Sequence, residues 1–144
     1  MSIQVQVTFD ANAPEKLGRF WCAAIDYVPQ APPDGYATWS AYEEAQGTPL
    51  SEQVEWFAAV DPAGRGPRLY FQKVPEGKTA KNRVHLDINA GKQGPEDAVV
   101  ATCRARARSL VELGASVYTE LGDETTEEFC IVMNDPEGNE FCIQ

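Results

Sequence analysis

The chain opens on strict alternation. Ile3, Val5, Val7 and Phe9 are separated by Gln4, Gln6 and Thr8, a period of two that predicts a strand with one apolar and one polar face. Asp10-Ala11-Asn12-Ala13-Pro14-Glu15 then predicts a helix start. Asn12 can accept from free backbone amides, Pro14 suits the first turn, and Glu15 suits the positive helix end. Leu17, Phe20, Trp21 and Ala24 carry helical spacing to about residue 24. Turn-forming residues fill Pro29 to Gly35. Strands are predicted over Tyr36 to Ala45, Val54 to Val60 and Arg68 to Val74, the second ending at the turn signal Asp61-Pro62-Ala63-Gly64.

After a polar connector, Pro75 to Asn82, the order repeats. Val84, Leu86 and Ile88 alternate with His85, Asp87 and Asn89. Gly94-Pro95-Glu96-Asp97 opens a second helix, with Ala98, Ala101, Ala105 and Leu110 to Leu113 as its apolar stripe and Arg104, Arg106 and Arg108 solvated. Gly114 is a natural left-handed stop. Closing strands are predicted over Ala115 to Thr119, Phe129 to Asn134 and Glu140 to Ile143, the last two joined by the turn Asp135-Pro136-Glu137-Gly138. Strand–helix–strand–strand–strand thus occurs twice, in a first module of about 1–76 and a second of about 83–144. An internal duplication of this kind outranks other fold signals. It predicts an α+β protein in which one helix covers one face of each sheet, and the two sheets side by side curve around a common trough.

Composition narrows what such a trough can hold. At 144 residues and 15.8 kDa the chain is the size of a single domain with an ample core. Acidic residues outnumber basic ones 22 to 12, a net charge of −10, so nucleic acid and anionic membranes are poor partners. The start has no secretory pattern and no apolar run reaches membrane-spanning length, so a cytoplasmic protein is expected. Cys22, Cys103, Cys130 and Cys142 form no CxxC pair and are expected to be free, mostly buried thiols. The chain has a single histidine, His85.

Several stretches together carry a family resemblance: the doubled order, Phe20-Trp21, Val84-His85-Leu86-Asp87, Leu113-Gly114-Ala115 and Asp135-Pro136-Glu137-Gly138-Asn139-Glu140. Along essentially its whole length the chain resembles the vicinal oxygen chelate superfamily, also called glyoxalase/bleomycin resistance/dioxygenase. It is most similar there to actinobacterial glyoxalase-like domain proteins. The resemblance implies paired βαβββ modules around a ligand cleft, commonly as a homodimer. Many relatives hold a divalent metal in that cleft, and bleomycin-resistance relatives bind drug without one. The implied inward positions fall at Gln4 or Gln6, near Gln72 with Tyr70 on the same face, at His85, and at Cys142, where many metalloenzyme relatives have a carboxylate. Glu140 lies two residues earlier on the same face.

Each candidate admits a chemical role and a plainer one. His85 can serve as metal ligand, general base or hydrogen-bonded pocket residue. With Glu140 it is the expected catalytic and metal pair. Gln6, Gln72 and Cys142 give a donor set of mixed softness and little charge. Such a set disfavours magnesium or manganese and weighs against a resident metal; it leaves open zinc or nickel through His85, Cys142 and Glu140, or a polar pocket floor of hydrogen-bonding amides with no metal. Cys142 is otherwise an inert thiol, and Asp87 is either a ligand-orienting acid or a rim carboxylate. Trp39, Tyr42, Trp56 and Tyr70 can wall the cleft and stack a flat ligand, or serve as core or dimer contacts. Lys73, Lys78, Lys81 and Arg83 either attract an anion or form a solvated loop. The two functional expectations are a metal-assisted lyase, isomerase or dioxygenase, and a metal-free protein that sequesters a small molecule.

Overall fold

Alternation decides which side of each sheet is dry. In the computed structural model, which describes residues 3–123 and 129–144, β1 (Gln6–Ala11) leads into α1 (Pro14–Ile25), β2 (Val28–Pro29), α2 (Trp39–Ala45), β3 (Trp56–Val60) and β4 (Arg68–Lys73). Then come β5 (Asp87–Ile88), α3 (Val99–Glu112), β6 (Ser116–Leu121), β7 (Cys130–Asn134) and β8 (Glu140–Ile143). The chain divides into two compact units, Met1–Cys22 with Asp26–Pro75 and Ala23–Ile25 with Glu76–Gln144. Each contains a four-stranded mixed sheet. The strand orders are β1-β4-β3-β2 and β5-β8-β7-β6, so both place the opening strand parallel to the last one. This is the α+β pattern of repeated βαβββ modules that the sequence predicts.

In the first unit Leu69, Phe71 and Ala59 are fully buried, as are Leu17 and Trp21 of α1. The Phe9 ring stacks on Phe71 at 4.9 Å and meets Trp21 at 5.3 Å. Gly18 lets the helix sit close to the sheet. A Cβ there would lie 2.0 Å from the Phe57 ring. In the second unit α3 packs on β6, β7 and β8. Cys103, Ala107 and Leu110 of the helix are buried with Ile131, Met133, Phe141 and Ile143 of the sheet.

The turn between β7 and β8 is built around Asp135, whose side chain is buried. Its carboxylate accepts from the Glu137 and Asn139 backbone N–H groups, each at 2.9 Å, and from the Asn139 side-chain amide. Gly138, at φ +87°, closes the turn with an N–H bond to the Asp135 carbonyl. These bonds satisfy a buried charge locally and fix where β8 begins.

The segment Tyr36 to Ala45 is not a strand. Its second half is α2, capped by the Thr38 hydroxyl accepting from the Ala41 N–H at 3.1 Å. Ala41, Glu43, Glu44 and Ala45 are good helix formers, and the aromatics at 39 and 42 are a helical rather than a period-two pair. The second strand is instead Val28–Pro29, at the start of the stretch expected to be loop. Asn12 does not cap α1, since its amide donates to the Val74 carbonyl at 3.0 Å and the cap position is Ala13.

Ordered pairing begins at Gln6, and Ile3 and Val5 are exposed. The Val84 to Asn89 strand contracts to Asp87–Ile88. The phase of α3 also differs from expectation. Cys103, Ala107 and Leu110, at i, i+4 and i+7, face inward, whereas Ala101, Ala105 and Leu113 are exposed. Arg104 is not merely solvated: it pairs with Glu120 at 2.9 Å and lies over the Phe129 ring. Residues 124–128 lie outside the described set. No helix among the described residues is long and apolar enough to cross a membrane.

Gly18→Ala is expected to lower unfolding free energy by about 1–3 kcal/mol, because the Phe57 ring must leave its place against the helix. Urea denaturation measures this, and an unchanged midpoint would show that the ring yields freely.

Candidate functional site

The face of the first sheet turned away from α1 carries polar and aromatic side chains. Register puts Gln6 opposite Arg68, Thr8 opposite Tyr70 and Asp10 opposite Gln72 across the β1–β4 pair, and Trp56 opposite Gln72 across β3–β4. Arg68 donates through Nε to Gln30 Oε1 at 2.8 Å and through Nη1 to Gln6 Oε1 at 2.6 Å. Its guanidinium lies 5.0 Å from the Tyr70 ring centre. Gln72 donates to Asp10 Oδ1 at 2.6 Å.

The aromatics adjoin this row. Trp56 and Tyr70 are 5.5 Å apart, Trp39 and Trp56 are 4.9 Å apart, and Tyr42 meets Trp39 edge-on at 5.8 Å. Both indole N–H groups are engaged, Trp39 to the Gln30 carbonyl at 2.8 Å and Trp56 to Glu43 Oε1 at 2.6 Å. Of the anticipated aromatics, Trp39 and Tyr42 reach this cluster from α2 rather than from a strand. Sequence reading passed over Arg68. Its signal was available, because it shares the period-two face of Tyr70 and Gln72.

The corresponding face of the second sheet carries a different chemistry. Parallel pairing of β5 with β8 sets Asp87 opposite Cys142, and the Cys142 N–H bonds the Leu86 carbonyl at 3.0 Å. His85 Nδ1 lies 2.9 Å from Asp87 Oδ1. One donor atom each from His85, Asp87 and Cys142 lies within 4.8 Å of the others. Burial pushes the Cys142 thiol up to about 11, and the Asp87 charge beside it and hydrogen bonds to Asp87 and Cys130 push the same way. At neutral pH the sulfur is therefore a thiol.

Glu140 lies on the same strand face as Cys142 but has other partners. Its carboxylate accepts from Lys78 Nζ and from the Asn82 N–H, both at 3.0 Å. The backbone bond foremost, with Lys78 second among the favourable contacts, holds its pKa at about 2 against an ordinary 4.5. Of the basic cluster, Lys78 is thus committed to Glu140, and Lys73 lies 3.7 Å from Glu55. The structure brings His85 together with Asp87 and Cys142, and it ties Glu140 to the connector. Gln6 and Gln72 belong to the first unit's face.

A metal's fit can be judged from the donors. Imidazole, carboxylate and thiolate suit a borderline ion such as zinc, nickel or cobalt better than a hard one. Tetrahedral ligands at zinc bond lengths stand about 3.5 Å apart, so the His85–Asp87 pair at 2.9 Å would have to open while the rest of the set, spread over up to 4.8 Å, closes. The Cys142 proton must also leave when metal enters.

Paired βαβββ modules of this kind are the fold of the vicinal oxygen chelate superfamily. The family model for the glyoxalase-like domain matches residues 6–144, and the chain belongs to that family. No curated protein matches it in sequence. Among solved structures, it is similar to the fosfomycin resistance protein FosX from Mesorhizobium loti, at 12% identity and TM-score 0.61 over 100% of this chain and 91% of that one. A glyoxalase/bleomycin resistance protein/dioxygenase family enzyme from Burkholderia phytofirmans is similar at 12% identity and TM-score 0.58, over 96% of this chain and 94% of that one. A FosX variant from Listeria monocytogenes, complexed with Mn(II) and 1S,2S-dihydroxypropylphosphonic acid, matches at 12% identity and TM-score 0.60, over 100% and 90%. Identities this low establish the common fold.

The Glu140 ion pair makes a signed prediction. Its folded pKa lies below the ordinary value, so its contribution to stability is complete above about pH 4.5 and is lost as pH falls toward 2. Glu140→Gln is expected to be less stable at pH 7 and to show a shallower decline over that interval. Urea midpoints measured across pH check this, and identical slopes would contradict it.

Proposed function

We propose that this glyoxalase-like protein binds a small organic molecule and assists its conversion with a divalent metal held by His85, Asp87 and Cys142. The observation that carries this reading is the convergence of one nitrogen, one oxygen and one sulfur donor within 4.8 Å, two of them from residues that the β5–β8 pairing sets opposite each other and the third from His85, which contacts Asp87. A metal bound there supplies Lewis acidity toward adjacent oxygen atoms of a substrate, as a lyase, isomerase or dioxygenase of this superfamily requires.

The chain's own groups have separable tasks. The Asp87 contact at His85 Nδ1 holds both side chains beside Cys142, and a metal entering there would take the place of that contact. Glu140, kept ionised, anchors the connector through Lys78 and Asn82 beside the strand that carries Cys142. On the first unit, Trp39, Trp56 and Tyr70 offer flat apolar area, with Gln6 and Gln72 as polar groups of the same face. A metal-free binding protein is the second reading. What favours it is the protonated, hydrogen-bonded state of Cys142, which satisfies the three groups with no ion.

Titration calorimetry of chelator-treated protein separates the two. The metal reading expects one zinc or nickel ion per chain, a rise in melting temperature on binding, and at least about a tenfold loss of affinity in His85→Ala or Cys142→Ala. Absence of stoichiometric binding, or binding that ignores both substitutions, would favour sequestration without metal.

A homodimer belongs to the same reading. It is supported by the edge strand β6, where Val117, Tyr118 and Leu121 are exposed. Light scattering is expected to give twice the 15.8 kDa chain mass, and a monomer would overturn this. A cytoplasmic location is in keeping with four free cysteines.

A further inference from the structure

Arg68 is half-buried on the first unit's polar face, yet no carboxylate among the described residues neutralises it. Its hydrogen-bond partners are two neutral amide oxygens, of Gln30 and Gln6. Those two bonds orient the guanidinium over Tyr70 and use only part of its N–H fork. The nearby acids are engaged elsewhere. Asp10 accepts from Gln72, four register pairs along the strand, and Glu43 accepts from the Trp56 indole. In a chain of net charge −10, a positioned cation left without an acidic partner is unusual. Burial lowers its pKa.

Flat aromatic surface adjoins this cation. Trp56 and Tyr70 are half-buried and tilted by 31°, and Trp39 extends the wall. An arginine held by neutral groups beside such a wall matches one kind of ligand: an aromatic ring to lie on the wall and an anionic oxygen pair to meet the fork. We propose that Arg68, Trp56 and Tyr70 form a subsite for a planar aromatic carboxylic acid, whose ring packs on the indole and phenol while its carboxylate takes the free guanidinium N–H groups. Gln6 and Gln30 are then positioning residues, presenting the fork rather than touching the ring. This names the ligand class for the recognition face described above and rests on that face being used.

Calorimetry on the full chain tests the proposal with two probes of equal shape, 2-naphthoate and the neutral 2-naphthamide, with and without chelator. Naphthoate is expected to bind at one per chain and about tenfold more tightly than the amide, with no effect of chelator. Arg68→Gln should abolish that preference while leaving amide binding in place, and Arg68→Lys should retain part of it, as a cation without the planar fork. Equal affinities of the two probes for the unaltered protein, or no binding of either, would overturn the proposal whatever the variants do. So would a preference that survives in Arg68→Gln. Zinc titration of the same preparations keeps the two readings apart. Naphthoate binding without zinc binding defeats only the metal reading, and zinc binding without naphthoate preference defeats only this one.

Discussion

The parallel pairing of each unit's opening strand with its last strand is the constraint on which both functional faces depend. In the second unit it sets Asp87 beside Cys142, and in the first it sets Gln6 beside Arg68. Parallel neighbours cannot be joined by a tight turn, so a long crossover must intervene, made in each unit of helix and two further strands. That is why residues more than fifty positions apart meet side by side. A slip of one residue in either pairing would exchange the faces and send these side chains into the apolar layer beneath the helix. The register is protected by what lies on the other side: Phe9 against Phe71 in one unit, Ile88 and Ile143 in the other.

The two faces differ in how they meet the cost of burying polar groups. On the first, Gln72 donates to Asp10, the indole N–H groups donate to the Gln30 carbonyl and to Glu43, and the guanidinium is supported by neutral oxygens. On the second, a thiol, a carboxylate and an imidazole share hydrogen bonds. Such a mutual arrangement is stable without a metal, and entry of an ion replaces a proton rather than filling a void. Glu140 shows the opposite solution, a carboxylate fully committed to a cation and a backbone N–H, and so held ionised far into the acid range.

Much of this architecture is legible in the residues. The duplicated order, the apolar faces of β1, β4, β7 and β8, and the Asp135 turn all follow from short-range patterns that tertiary packing reinforces. The residues of the second site were also visible as candidates, because His85, Asp87, Cys142 and Glu140 fall on one alternating face. Which of them meet was not visible, since that depends on the β5–β8 register and on Lys78 reaching Glu140 across 62 positions. Trp39 and Tyr42 misled for a physical reason. Aromatics favour strands on average, but a Thr38 cap and a run of alanine and glutamate override that preference locally. The phase of α3 was equally ambiguous, because alanine on both sides of a helix offers little contrast. Arg68 went unnoticed because an arginine on a strand usually reads as solvated, and its neutral partners come from β1 and from the loop after β2.

X-ray absorption at the edge of a bound zinc ion addresses the central claim most directly, because it reports the donor atoms themselves. The account predicts one sulfur at about 2.3 Å with nitrogen and oxygen donors near 2.0 Å, and loss of the sulfur shell in Cys142→Ser. A first shell made only of nitrogen and oxygen in the unaltered protein would contradict it.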